Sequence, residues 1–223
     1  MIILIGNQKG GAGKSTLTLM LANYLCTEKH CRVTVLDMDY QQSLVQKFQR
    51  AKLLENPEAY QVIAANLEKF SDLYPLLQEN PEDLVLVDLP GKLDDDGLIP
   101  LFQSADLVIC PFGYDEFSFK STVLFAVVLN KINAEIDIVF VPNRVKANVR
   151  YETREEVDEQ LRKFGSVAGA LPDRVDFQRV STFSTPDTIR PVIRPVLDQI
   201  FVTHLAFLMD DLSANALTEH NHE

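Results

Sequence analysis

One eleven-residue run, GNQKGGAGKST from Gly6 to Thr16, limits what this chain can fold into more than any other feature. It follows the apolar segment MIILI and precedes Leu17, Leu19, Met20, Leu21 and Leu25 in a helical rhythm. A glycine-rich loop that ends a buried strand and opens a helix is the context a phosphate-binding loop requires. Gly13, Lys14 and Ser15 satisfy the second half of G-x-x-x-x-G-K-[ST]. The first glycine of that pattern is replaced by Gln8, and an extra cation, Lys9, follows it. Gly10, Gly11 and Gly13 let backbone N–H groups turn inward with no Cβ in the way. The helix N-terminus adds partial positive charge. Lys14 then reaches the outer phosphates, and the Ser15 hydroxyl can ligate Mg2+. The candidate nucleotide-binding set is Gly10, Gly11, Ala12, Gly13, Lys14, Ser15 and Thr16. A dinucleotide fingerprint is disfavoured, because its third glycine would fall on Thr16.

The rest of the chain alternates short apolar runs with longer helical patterns. Strands are expected at Met1 to Ile5, Arg32 to Asp37, Leu84 to Asp88, Asp106 to Pro111 and Asp137 to Pro142. Weaker candidates are Tyr60 to Ala65 and Ser166 to Pro172. The strong runs are apolar throughout rather than alternating, which suits parallel strands covered on both faces. Helices are expected at Ser15 to Cys26, Ser43 to Ala51, Leu67 to Gln78, Ser118 to Ile132 and Tyr151 to Phe164. This order implies an α/β three-layer sandwich with a mostly parallel central sheet flanked by helices. No linker divides the chain, so residues 1–223 are expected to form a single domain. Ligands should gather along the strand C-termini.

Charge and cysteine content narrow the function. The formal net charge is −11, which gives no global attraction for nucleic acid or anionic lipid. Cys26, Cys31 and Cys110 have no paired spacing, which argues against a disulfide framework and suits a reducing compartment. No basic n-region precedes the first apolar run, and no apolar run is long enough to span a bilayer. A cytoplasmic location without a membrane anchor is expected.

Several segments together resemble one family. KGGAGKST (Lys9 to Thr16) is similar to the deviant Walker A loop of the ParA/MinD P-loop ATPases. VLDMDYQQS (Val35 to Ser43) resembles the family's D-x-D-P-Q-x-S motif, with Tyr40 in place of the proline. LVLVDLPG (Leu84 to Gly91) resembles its Walker B strand, and SADLVICPF and VFVPNRV resemble later strands. The likeness runs from residue 1 to about 175 and is closest to small ParA-type partition ATPases. It implies ATP as the nucleotide, a homodimer formed with ATP, and a catalytic role for Lys9 and Lys14. Lys9 would reach the phosphates of the other subunit and stabilise charge there, as an arginine finger does.

Three carboxylates should share the edge that carries the loop: Asp37, Asp39 and Asp88. Mg2+ keeps several waters and takes few protein carboxylates, so Asp88, through water, is the expected metal partner beside Ser15. By resemblance, Asp39 positions the attacking water. Asp37 either supports the metal shell or caps the following helix. For the base, NRVK (Asn143 to Lys146) lacks the carboxylate that guanine recognition uses, and a lysine cannot replace it. Adenine fits, and the resemblance places Asn143 on the base with the loop after Leu171-Pro172 closing over it.

The last segment before the tail has Leu197, Ile200, Phe201, Leu205 and Leu208 at helical spacing. With its acidic surroundings it reads as a helix packed on the core, not as a basic membrane-docking helix. The resemblance therefore points to segregation or positioning of DNA, with non-specific DNA contact and a ParB-like or other small activating partner. The alternative is a MinD-like switch that positions a protein cargo or division component. Lys146, Arg150 and Arg154, and Arg190 and Arg194, are the candidate DNA contacts. Interleaved acids and the prolines of RPVIRP make a salt-bridged surface the stronger expectation there. A small-molecule kinase would need a substrate pocket that no residue demands.

Overall fold

The computed structural model describes residues 1–54, 57–80, 82–92 and 96–206. Leu208 and the polar tail lie outside the described residues. The strands are β1 (Ile2–Ile5), β2 (Val33–Asp37), β3 (Gln61–Ala64), β4 (Leu84–Asp88), β5 (Leu107–Phe112), β6 (Asp137–Pro142) and β7 (Ser166–Val167). They form one sheet in the order β3-β2-β4-β1-β5-β6-β7, with every pairing parallel. Every residue of β1, β4 and β5 is buried, which is why these runs lack alternation. The edge strand β3 buries only Val62.

Helices cover both faces. On one side α1 (Lys14–Thr27), α2 (Ser43–Leu53) and α7 (Arg190–Ile200) pack on Ile3, Ile5, Val35, Leu86 and Ile109. On the other, α3 (Phe70–Gln78), α4 (Leu98–Gln103), α5 (Glu116–Ile132) and α6 (Arg154–Leu161) cover Leu4, Val87, Val108 and Phe140. Successive side chains of each strand point to opposite faces, so one apolar run feeds two cores. Burying each such Leu, Ile or Phe contributes about 1.5–3 kcal/mol. Among the described residues, no helix is long and apolar enough to cross a membrane.

The three-layer parallel architecture read from the sequence is the one observed, with differences at its margins. The strand expected over Ser166 to Pro172 keeps only two ladder residues. The chain beyond follows β6 through single bonds, Ala168 N–H to Phe140 O and Leu171 N–H to Pro142 O. The helix expected over Leu67 to Gln78 begins as a 3-10 turn, Leu67–Lys69, with Asn66 Oδ1 accepting from Lys69 N–H at 3.0 Å. The helix expected over Tyr151 to Phe164 is shorter at both ends. RPVIRP forms the first turns of α7, where Arg190 and Arg194 are exposed and ion-paired as the sequence reading expects, and the helix continues into a π-helical turn at Phe201–Leu205. Pro191 falls in the first turn, where its missing N–H has no intrahelical partner to lose.

Candidate functional site

The loop begins where β1 meets its closest neighbours. A Cβ on Gly6 would lie 2.6 Å from Leu89 Cδ1 and 2.8 Å from Phe125 Cζ, so only glycine fits between the β4 end and α5. Asn7, fully buried, then braces the turn. Its Nδ2 donates to Pro111 O (2.8 Å) and Thr122 Oγ1 (2.9 Å), and its Oδ1 accepts from Lys9 N–H (2.9 Å). Gly11 and Gly13 take positive φ, +76° and +92°, the region where a side chain is strained. Gly13 also caps α1, its carbonyl accepting from Leu17 N–H at 3.0 Å.

Lys14 lies inside this cradle with 7% exposure. Its Nζ is 3.9 Å from where a Cβ on Gly91 would stand. That ammonium makes no hydrogen bond or ion pair with any described residue. Burial lowers its pKa, against the opposing pull of Asp88 and Asp39. A buried ammonium among glycine amides at a helix N-terminus is a receptor for an anion.

Asp37, Asp39 and Asp88 do reach the same edge. Asp37 and Asp88 are register partners across β2 and β4, and Ile5 is the partner of Asp88 on β1. Asp88 is fully buried; its Oδ1 accepts from Thr18 Oγ1 at 3.4 Å, and its Oδ2 has no hydrogen-bond partner. Burial raises its pKa to about 7, with Asp37 adding to the rise and Ser15 and Lys14 opposing it. An orphaned carboxylate oxygen beside two hydroxyls fits a hydrated Mg2+. Asp37 is occupied differently: Oδ1 accepts from Asp39 N–H (3.2 Å), and Oδ2 from Leu44 and Val45 N–H (2.9 and 3.1 Å). That is the geometry of a cap on α2, one of the two roles left open by the sequence. Asp39 Oδ1 accepts from Gln41 N–H at 2.9 Å, its other oxygen bonds to no described residue, and Tyr40 beside it is 75% exposed.

Asn143 closes the far side of the loop. Its Nδ2 donates to Ala12 O at 2.8 Å, and its Oδ1 accepts from Arg144 N–H at 2.9 Å. A groove of about 230 Å³ opens here, lined by Thr16, Asn143, Arg144, Asp173, Arg174 and Phe177 among others. Pro172 is bridged to Val145 and directly precedes the wall residue Asp173, without lining the groove itself. Thr16, Asn143 and the Pro172 loop are thus brought together, but Asn143 spends both ends of its amide on the protein.

Lys9 is half-buried at the outer rim, in an ion pair with Asp115, the N-cap of α5, at 2.7 Å. The sequence reading missed Asp115, Asn7, Thr18 and Gly91. Only Asp115 left a signal, an acid just before a helical run. Burial raises the pKa of the Cys26, Cys31 and Cys110 thiols.

A family model described as the CobQ/CobB/MinD/ParA nucleotide binding domain matches residues 3–186. Among solved structures, a plasmid partition protein from Borrelia burgdorferi B31 bound to AMPPNP is 23% identical, with a TM-score of 0.67. The match covers 90% of this chain and 98% of that one. The MinD cell division protein of Aquifex aeolicus is 18% identical, with a TM-score of 0.66, over 88% of this chain and 94% of that one. Apo McdA from Cyanothece is 13% identical, with a TM-score of 0.62, over 96% and 98%. At these identities the structures share the fold. No curated protein matches the sequence.

Proposed function

The chain belongs to the CobQ/CobB/MinD/ParA nucleotide-binding family, and we propose that it is a Mg2+–ATP-dependent ATPase, dimeric with ATP, that segregates or positions DNA such as a plasmid or mobile element. It acts as one cytoplasmic domain over residues 1–223, and a ParB-like or other small partner protein accelerates its slow hydrolysis. The observation that carries this reading is Lys14: a buried cation with no hydrogen-bond or ion-pair partner for its ammonium among the described residues, in a glycine cradle at the start of α1.

The residues divide the work. Backbone N–H groups of Gly10, Gly11, Ala12 and Gly13 hold phosphate oxygens, with Ser15 and Thr16 continuing the set onto α1. Lys14 supplies charge to the outer phosphates. Ser15 and Asp88 would hold Mg2+, which when bound neutralises charge between phosphate oxygens. Asp37 shapes the turn that presents Asp39, and Asp39 orients the attacking water with its free oxygen. Lys9 leaves Asp115 to reach the partner protomer's phosphates. Asn143 fixes the loop through Ala12 and borders the groove into which adenine fits, and Pro172 sets the start of the loop that forms its other wall. A protein of the same fold is described as a plasmid partition protein bound to AMPPNP, which supports this assignment.

A second reading has its own support. Arg154, Arg190 and Arg194 each form an ion pair with a neighbouring carboxylate. Paired cations offer little to a phosphate backbone, and this favours a MinD-like switch for a protein cargo. One experiment separates the two: light scattering and a DNA mobility shift with ATP or ADP, at low and high salt. An ATP-specific dimer with a salt-sensitive shift supports DNA segregation. The dimer without the shift supports the protein-cargo switch, and no ATP-specific dimer refutes both.

A further inference from the structure

A groove of about 350 Å³ runs between the first turns of α5 and the face of α6, outside the nucleotide site. Its floor is apolar, built from the Tyr114 ring, Phe119 and Val157. Its rim carries Glu116, Glu156 and Glu159. The floor is rigid. Tyr114 Oη donates to Asp158 Oδ1 at 3.0 Å, its ring stands 5.3 Å from that of Tyr151, and the Arg154 guanidinium covers it at 5.4 Å. The size is that of a pocket for one large side chain and its flanks.

The charge of the rim is only partly compensated. Lys120 pairs with Glu116 at 2.6 Å, and Arg154 is drawn to Asp158. Glu156 and Glu159 have no ion-pair partner among the described residues. We propose that this groove docks a cationic peptide segment of a partner protein, anchored by one apolar side chain on Phe119 and Val157. Complementary charge at a rim steers encounter and selects the partner, while a desolvated apolar anchor supplies most of the affinity. Nucleic acid and anionic membrane are repelled by the same glutamates. A second copy in a two-fold arrangement would bring like charges together, in a chain already at −11. The inference rests on the functional reading above, since it places that partner. Glu116 follows Asp115, so a docked segment touches the turn that holds Lys9.

The test uses a fluorescein-labelled peptide alternating arginine with leucine, followed by anisotropy at low and high salt. Control peptides replace leucine by serine or arginine by glutamate. The full chain is compared with Glu156→Lys/Glu159→Lys and, as a charge-matched control, Asp72→Lys/Glu79→Lys on α3 and its C-cap. All four positions are exposed, and circular dichroism verifies folding. Support requires about tenfold weaker binding in the α6 variant, near wild-type binding in the α3 variant, and a loss with the serine peptide. Equal weakening in both variants, or wild-type chain that ignores the peptide, overturns the proposal. So does sedimentation in which the α6 variant alters only self-association. Nucleotide binding measured on the same samples tells a failed groove from a failed ATPase reading.

Discussion

Lys9 and Asp115 form a two-pronged ion pair, Nζ to Oδ1 at 2.7 Å and to Oδ2 at 2.9 Å, that ties the phosphate loop to the N-cap of α5. The side chains are 34% and 54% exposed, so the pair adds only about 0.2–1 kcal/mol to stability. It is weak enough to exchange for phosphate oxygens. Asp115→Asn keeps the cap and frees Lys9. We expect little change in melting temperature, dimerisation at lower ATP, and faster phosphate release. Lys9→Ala should bind ATP but lose dimer-dependent hydrolysis. Unchanged turnover in Lys9→Ala removes the role assigned to this lysine.

Lys14 predicts a trade between stability and binding. Its ammonium is buried without a hydrogen-bond or ion-pair partner among the described residues, and burial lowers its pKa. Lys14→Met keeps the stem and removes the charge. The nucleotide-free variant should melt at or above the wild-type temperature, because the cost of burying this charge exceeds the pull of Asp88 and Asp39 on it and is lost with the ammonium. ATP should no longer raise that temperature, and calorimetry should show no binding. A variant that still responds to ATP places the phosphates elsewhere.

Asp39 predicts an arrested state. Its carboxylate accepts one hydrogen bond, from the Gln41 N–H, and its other oxygen bonds to no described residue. Asp39→Ala should therefore bind ATP and accumulate as dimer, with turnover reduced about a hundredfold or more. Light scattering that shows only monomer with ATP overturns the assignment.

The fold was legible where burial acts on both faces of a strand. Runs such as LVLVD have no alternation to misread, and their bounds agree with β4 as observed. The six-residue α4 is too short to show a period, and α7 was obscured by Pro191 and Pro195. The site was legible in part for a similar reason. A glycine loop must be contiguous, so its pattern survives in one dimension. Asn7 and Asp115 act across more than a hundred residues of sequence, on Thr122 and Lys9, and no local spacing encodes those contacts. Asp37 needed its Leu44 and Val45 bonds to be seen as a cap.

Gly13 and Asn143 should couple. A Cβ on Gly13 would stand 2.3 Å from Asn143 Nδ2, at a φ of +92° that already disfavours a side chain. Gly13→Ala should cost at least about 1–2 kcal/mol from backbone strain alone. Asn143→Ala leaves Ala12 O without its partner, for about 1–3 kcal/mol. Removing Asn143 also removes the clash, so the double variant should lose less than the sum in urea unfolding. Strict additivity would show that the contact is relieved by movement of the loop.

Asp88 sets the pH dependence of the nucleotide-free protein. Its pKa rises from 3.8 to about 7 on folding, chiefly through burial. The folded state therefore keeps its proton over a range in which the unfolded chain has released it. Stability from this group is present in full below the ordinary carboxylate range and declines as pH rises through about 7. Asp37 is shifted in the same direction, so the wild-type curve alone does not isolate Asp88. The difference between wild type and Asp88→Asn does, because the amide has no charge to bury. Thermal melts between about pH 5 and pH 8 should show the variant gaining on wild type as pH rises. Cation binding needs the ionised carboxylate, so magnesium with nucleotide should reverse that order at the alkaline end. Parallel curves without nucleotide would mean that Asp88 is not the proton-binding group at this sheet edge.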